Sequence, residues 1–386
     1  MGERTYDIVL LGATGFTGRL TADHLAHRLA GTGLSWAIAG RNVDRLEEVR
    51  DGLSSAGLEP ELEVVDTADL VGLLRLAERT RVLATTVGPY ATHGELVVQA
   101  CVRSGTHYAD ITGEPAFVDL VRSRYDDDAR ERGVKVVNCC GLDSIPPDLG
   151  VRHAVAQLPD DAPITVRGFL QVSGQPSGGT WASALDAIGT GELGGLQGQP
   201  RRDGHRQASP LPLRPVRADE LGGVGLPLPT IDPSIVLRSA AGLDAYGPDF
   251  RFGYYLHTGS PITATAIAGG AAVLAGLARI GPAREALKRL RPAGDGPSDD
   301  QREKAWFRIT FEAEAAGHRV RTRVSGDDPG YGGTAIMLGE AVLSLVEDDL
   351  DDVAGVLTPA QAFEGGHLQA RLEAHGMTFE VLDADA

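Results

Sequence analysis

Gly12, Gly15 and Gly18 stand three residues apart, directly behind the unbroken apolar run Ile8-Val9-Leu10-Leu11 and in front of the helix-like stretch Arg19 to Ala30. Strand, glycine-rich turn and helix in that order present free backbone N–H groups and the positive end of a helix to a pyrophosphate. Glycine suits these places because a Cβ would obstruct the phosphates or the approach of helix to strand. The chemistry this implies is dinucleotide binding. An NAD-selective site carries an acidic residue at the end of the second strand to hold the ribose 2′-OH. Here that place holds Gly40 and Arg41, which leaves room for a 2′-phosphate and supplies a cation to pair with it. NADP(H) is therefore the expected cofactor, with Asp66, where the third strand ends, near the adenine.

Groups able to donate a proton gather at the C-terminal ends of predicted strands, the side on which such sheets bind ligands. They are Tyr90, Tyr108, Asp110, and Asp143 with Ser144. Each has a plain structural alternative: Tyr90 packs its turn, Tyr108 caps a core edge, and Asp143 caps a helix that begins near Pro147. Schiff-base or lysine general-base chemistry is not expected with only three lysines. Lys135 opens a strand at the end of the sheet away from the ligand, while Lys288 and Lys304 sit among other charges. None of the eight tyrosines has a lysine four residues later, so the Tyr-x-x-x-Lys pair of short-chain dehydrogenases is absent. His24 and His27 lie on the first helix without a third ligand, so no metal site is expected and both are read as solvated. Cys101, Cys139 and Cys140 fit a reducing compartment, the adjacent pair as core packing.

Positioning these groups takes six predicted strands alternating with helices over the first ~140 residues, the number in a full dinucleotide-binding domain. The strands are Ile8–Leu11, Ser35–Ala39, Leu62–Val65, Val82–Thr86, Tyr108–Ile111 and Val134–Asn138. The fourth runs into Val87-Gly88-Pro89-Tyr90, a turn that halts it and aims backbone groups at the ligand cleft. From Gly141 the pattern changes. Ile164–Val172 and Phe250–Leu256 read as strands of a second sheet, and Trp306–Glu314 with His318–Val324 as a hairpin. Residues 189–232, dense in Gly, Pro and Arg, read as a long loop or lid. The charge-free stretch Ile262 to Ala278 is expected to be a buried or dimer-interface helix. Lining a tunnel for an apolar chain, or dipping into a membrane surface, is the alternative. A helix is read over Ile336–Val346 and another over Ala360–His375.

At 386 residues two domains are expected. The fold class is α/β: a Rossmann-type, doubly wound parallel sheet over 1–145 and an α+β substrate domain with a mixed sheet over 146–329. Helices over 330–386 are expected to pack back on the first domain. A net charge of −17 argues against nucleic acid and against an anionic membrane surface as partners. With no charged and apolar leader ahead of Asp7, a cytoplasmic protein without a transmembrane span is expected.

Laid out in this way, the chain resembles the saccharopine dehydrogenase-like oxidoreductases, and within them the trans-acting enoyl reductases of actinobacteria. The resemblance runs over nearly the whole chain. It is carried by GATGFTG at Gly12, AGRN at Ala39, TVGPYATHGE at Thr86, HYADITGE at His107 and NCCGLDSIPPDLG at Asn138. SGGTWASAL at Ser177, GDGPSDDQREKAWF at Gly294, DPGYGGTA at Asp328 and GVLTPAQAF at Gly355 continue it. The resemblance implies pyrophosphate contacts from Gly12, Thr14, Gly15, Phe16, Thr17 and Gly18, an adenosine-phosphate contact from Arg41, and a nicotinamide beside Thr86, Val87, Gly88, Pro89 and Tyr90. It also implies reduction of a polyketide-derived double bond, with an apolar or carrier-linked substrate and a homodimer expected. Hydride addition to such an alkene leaves an enolate to stabilise and protonate, which is the task for Tyr90, Tyr108 or Asp143. Members that form amino acids carry a Gly-Leu-Asp-Pro-Gly turn where this chain has Gly141-Leu142-Asp143-Ser144-Ile145. That departure weakens the alternative of imine reduction. A cofactor-bound protein without turnover is the other alternative.

Overall fold

The computed structural model describes residues 4–53, 57–173, 201–203, 206–218, 220–289 and 303–385. The chain divides into two compact units, residues 1–142 with 331–375, and 143–330 with 376–386.

In the first unit the strands are β1 Tyr6–Leu11, β2 Trp36–Gly40, β3 Glu61–Val64, β4 Thr80–Thr85, β5 His107–Asp110 and β6 Lys135–Val137, joined from far down the chain by β15 Gly355–Leu357. They form one parallel sheet in the order β15-β6-β5-β4-β1-β2-β3. Ile8, Val9, Leu10 and Leu11 are buried, as an apolar run without alternation requires of a strand covered on both faces. Leu11 is level with Ala39 on one side and Thr85 on the other. The turns after β1, β2 and β4 therefore leave the sheet side by side, where the strand order reverses and ligands bind. The parallel α/β sheet is as expected, with one strand more. β15 has only three residues, too few to show a pattern, and is defined by its pairing with β6.

In the second unit β7 Ile164–Ser173 lies between β12 Asp249–Thr258, parallel to it, and β13 Trp306–Ala315, antiparallel. β13 turns through Ala316-Gly317, both with positive φ, into β14 His318–Asp327, the expected hairpin. Phe169, Phe250, Phe252, Phe307 and Phe311 fill the core. Helix Ile145–Val155 approaches the sheet at Gly150, where a Cβ would stand 2.4 Å from the Phe311 ring.

Three expectations are corrected. The stretch 189–232 is not all loop. It contributes β8 Arg201–Asp203, β9 Arg206–Pro210, β10 Val216–Arg217 and β11 Val224–Pro227, while 189–200 lies outside the described residues. Proline hides such strands from pattern reading, yet is tolerated where a strand ends or borders the sheet. The C-terminal part is not all helix, and not all of it belongs to the first unit. Helix Gly332–Glu347 does, but the expected helix Ala360–His375 is two short ones, Pro359–Ala362 and Leu368–Glu373, broken where Gly365 takes a φ of +74°. The last residues form β16 Thr378–Asp385, which completes the second sheet against β14. Lastly, helix Pro261–Ala278 is not a core helix, since only Ala264 and Ala278 of it are buried.

Candidate functional site

The turn after β1 is shaped by contacts that two of its glycines alone permit. Gly12 has a φ of +93°, and a Cβ there would stand 2.7 Å from Val87 Cγ2 and 2.9 Å from Thr86 Oγ1. Thr86 fastens the two turns, its N–H donating to the Leu11 carbonyl at 3.0 Å and its hydroxyl to that of Gly12 at 3.1 Å. At Gly18 a Cβ would lie 2.2 Å from the Gly12 carbonyl oxygen, so helix Phe16–Leu29 reaches the turn only with glycine there. Gly15 differs. It is exposed, and the one neighbour of a Cβ would be the Gly12 oxygen at 3.5 Å, an ordinary contact. The fold does not need glycine at 15, and the space outside that turn is open. The helix it precedes has no side-chain cap, so its first N–H groups are available to an anion. Tyr331 holds Phe16 edge-on, ring centroids 4.6 Å apart.

Past β2, the side chain of Arg41 is 74% exposed, with its guanidinium 3.9 Å from the Asp66 carboxylate. Asp66 itself accepts from the Ala68 N–H at 2.9 Å. Helix Val43–Gly52 is capped by Asn42, whose side chain accepts from Arg45 N–H at 3.1 Å, so Arg41 is not its cap. An open glycine cradle, an uncapped helix end and a solvent-facing cation in place of an acidic residue fit NADP(H).

The turn Thr86–Pro89 faces outward, but Tyr90 turns in. Its phenol is buried, donates to the Thr85 carbonyl at 3.1 Å and accepts from Ile111 N–H at 3.4 Å; burial, then the charge of Asp110, hold it well above the usual tyrosine range. The N–H groups of Tyr90 and Ala91 donate to the Glu114 carboxylate at 2.9 and 2.8 Å. Tyr108 is fully buried, its hydroxyl 2.9 Å from Asp110 Oδ2. Asp110 also accepts from Thr112 N–H, Cys139 N–H and Asn138 Nδ2. Burial pushes it up to about 6 against the pull of those bonds. Tyr90, Tyr108 and Asp110 thus brace the ligand-side ends of β4, β5 and β6. Their polar atoms are engaged inside the core, so the hydroxyls of the two tyrosines expected as proton donors are already bonded.

The acidic group of the second unit is different. Ser144 precedes helix Ile145–Val155, and neither it nor Asp143 caps that helix with a side-chain bond. Asp232, buried at the first turn of helix Asp232–Gly242, accepts from the Thr230 hydroxyl through Oδ2. Its Oδ1 has no hydrogen-bond partner among the described residues. Burial and then the charge of Asp143 push Asp232 up to about 8; burial raises Asp143 too, and both carboxyls raise the neighbouring Tyr254 phenol. A carboxyl that keeps its proton at neutral pH is a hydrogen-bond donor and an acid. Asp232 escaped the sequence reading because it lies in the Gly/Pro-rich run. The signal available was Thr-x-Asp-Pro, which opens a helix.

His24 is also corrected: it is not solvated. It lies against the buried Glu340, Nε2 to Oε1 2.8 Å, where helix Gly332–Glu347 packs so closely that a Cβ on Gly339 would stand 2.5 Å from the His24 ring. Arg28 Nε donates to the same oxygen at 2.7 Å, and His375 lies 3.7 Å away. Burial works to raise Glu340, but the bonds from His24 and Arg28 hold it below the usual glutamate range. The trio His24, Glu340 and His375 is close enough to share an ion. However, the carboxylate is already claimed by an arginine, which would repel a cation, so the cluster is a clamp between helices. His27 stays half exposed.

Compared with known proteins, residues 8–137 match the saccharopine dehydrogenase NADP binding domain. The chain is 37% identical to a Mycobacterium tuberculosis protein named a candidate trans-acting enoyl reductase, over 98% of each chain. It is 36% identical to the trans-acting enoyl reductase of Mycobacterium ulcerans, over 97% of each. Among solved structures, apo saccharopine dehydrogenase (L-Glu forming) from Saccharomyces cerevisiae shares the fold with a TM-score of 0.56 at 14% identity, covering 99% of this chain and 100% of that one.

Proposed function

Because the chain belongs to the family of the trans-acting enoyl reductases, we infer that it is an NADPH-dependent reductase of an activated carbon–carbon double bond. The observation that carries this reading is that the similarity spans the second unit as fully as the nucleotide-binding one. NADPH, when bound, supplies the hydride. On the protein's side, Gly12, Thr14, Gly15, Phe16, Thr17 and Gly18 border the pyrophosphate, which faces the uncapped N–H groups that open helix Phe16–Leu29. Arg41 pairs with the 2′-phosphate, Asp66 borders the adenosine, and Thr86 to Tyr90 border the nicotinamide.

Within the second unit, Asp232, beside Asp143 and neutral at pH 7, is a group able to give up a proton, whereas the hydroxyls of Tyr90 and Tyr108 are engaged. The substrate is an apolar enoyl chain held as a thioester on a carrier. Cys101, Cys139 and Cys140, buried and joined in no disulfide among the described residues, support a cytoplasmic setting.

Following NADPH absorbance with an enoyl thioester, its saturated counterpart and an α-keto acid plus amine tests the reading. Consumption is expected with the enoyl thioester alone, and with NADPH over NADH. Turnover of the keto acid with amine would overturn it.

A further inference from the structure

Helix Pro261–Ala278 carries eighteen residues without a charge, yet Ile262 is 83% and Val273 64% exposed, with Ile267, Leu277 and Ile280 also in the open. A helix apolar on every side needs cover. Directly behind it the character inverts. The sequence from Arg279 to Arg291 holds Arg279, Arg284, Lys288, Arg289 and Arg291 against the single carboxylate of Glu285, in a chain whose net charge is −17. Helix Gly281–Arg289 carries most of these cations.

The topology limits what the cover can be. The apolar helix leaves β12, and the chain returns as β13, and both strands pair with β7 in one sheet. A helix crossing a bilayer would put those strands on opposite sides of it, so this one lies along a surface although its ~27 Å would nearly span one. A second copy of the chain would bring the same five cations against themselves across a two-fold axis. An anionic surface neutralises them.

We propose that helices Pro261–Ala278 and Gly281–Arg289 form a membrane-docking element that lies in the interface of an anionic bilayer, the first inserting apolar side chains among the acyl chains and the second pairing its arginines with lipid phosphates. The acidic remainder of the molecule is repelled by the same surface, which leaves this element as the one that makes contact.

Flotation of the full-length protein with vesicles of phosphatidylcholine alone, or with phosphatidylglycerol at about three to one, tests this. Binding is expected with the anionic vesicles and is expected to be lost at high salt. The double variant Ile262→Asp/Val273→Asp should abolish it, and Arg279→Glu/Arg289→Glu should weaken it at least about tenfold, with NADPH binding unchanged in both as the check on folding. No binding by the wild-type protein, equal binding to both vesicles, or a wild-type dimer that Val273→Asp splits while vesicle binding stays nil would each overturn the proposal.

Discussion

Tyr331, from the late segment that opens helix Gly332–Glu347, lays its ring edge-on against Phe16, the first residue of the pyrophosphate helix, with ring centroids 4.6 Å apart and planes at 72°. The return of the chain after the second unit thus fixes the start of the helix on which the cofactor site depends. Removing that ring in Tyr331→Ala loses an aromatic pair with ~0.5–1.5 kcal/mol beyond its buried area. NADPH should bind about three- to tenfold more weakly, and Tyr331→Phe should restore binding. Nucleotide titration by fluorescence reads both.

Arg41 stands exposed where an acidic residue would mark NAD, so Arg41→Ala should weaken NADPH by about 1.5–3 kcal/mol, the range of a charge-assisted hydrogen bond, and leave NADH nearly unchanged. Equal losses for the two nucleotides would remove Arg41 from the 2′-phosphate.

The glycines of the first turn should separate by experiment. A side chain at Gly15 meets ordinary van der Waals space, so Gly15→Val is expected to keep its melting temperature within a few degrees and lose NADPH binding. Gly18→Ala forces a Cβ to 2.2 Å from a carbonyl oxygen and should lower the melting temperature before any question of binding arises.

Asp232 predicts a pH dependence of stability. The unfolded chain releases this proton near 4 while the folded one keeps it to about 8. Its contribution is whole below 4 and drains away as pH rises across that window. The melting temperature of the wild-type protein relative to Asp232→Asn should therefore decline from pH 4 to pH 8.

What could be read in advance was what neighbours along the chain decide. The pyrophosphate turn is legible because Ile8–Leu11, three spaced glycines and a helix start are contiguous. The β13–β14 hairpin is legible because alternation and a Gly turn are local as well. Arg41 was read from its place at a strand end. The rest was decided by contacts between residues far apart. A phenol at 90 or 108 reads as an acid until the core closes over it and Thr85 or Asp110 takes its hydroxyl. His24 reads as solvated until Glu340 arrives from another helix. β15 and β16 are strands because β6 and β14 offer them backbone groups to pair with. Asp232 is an ordinary carboxylate in sequence. It holds its proton because folding buries it beside Asp143, and the free energy of ionisation depends on the surrounding medium and charge, which no stretch of sequence carries by itself.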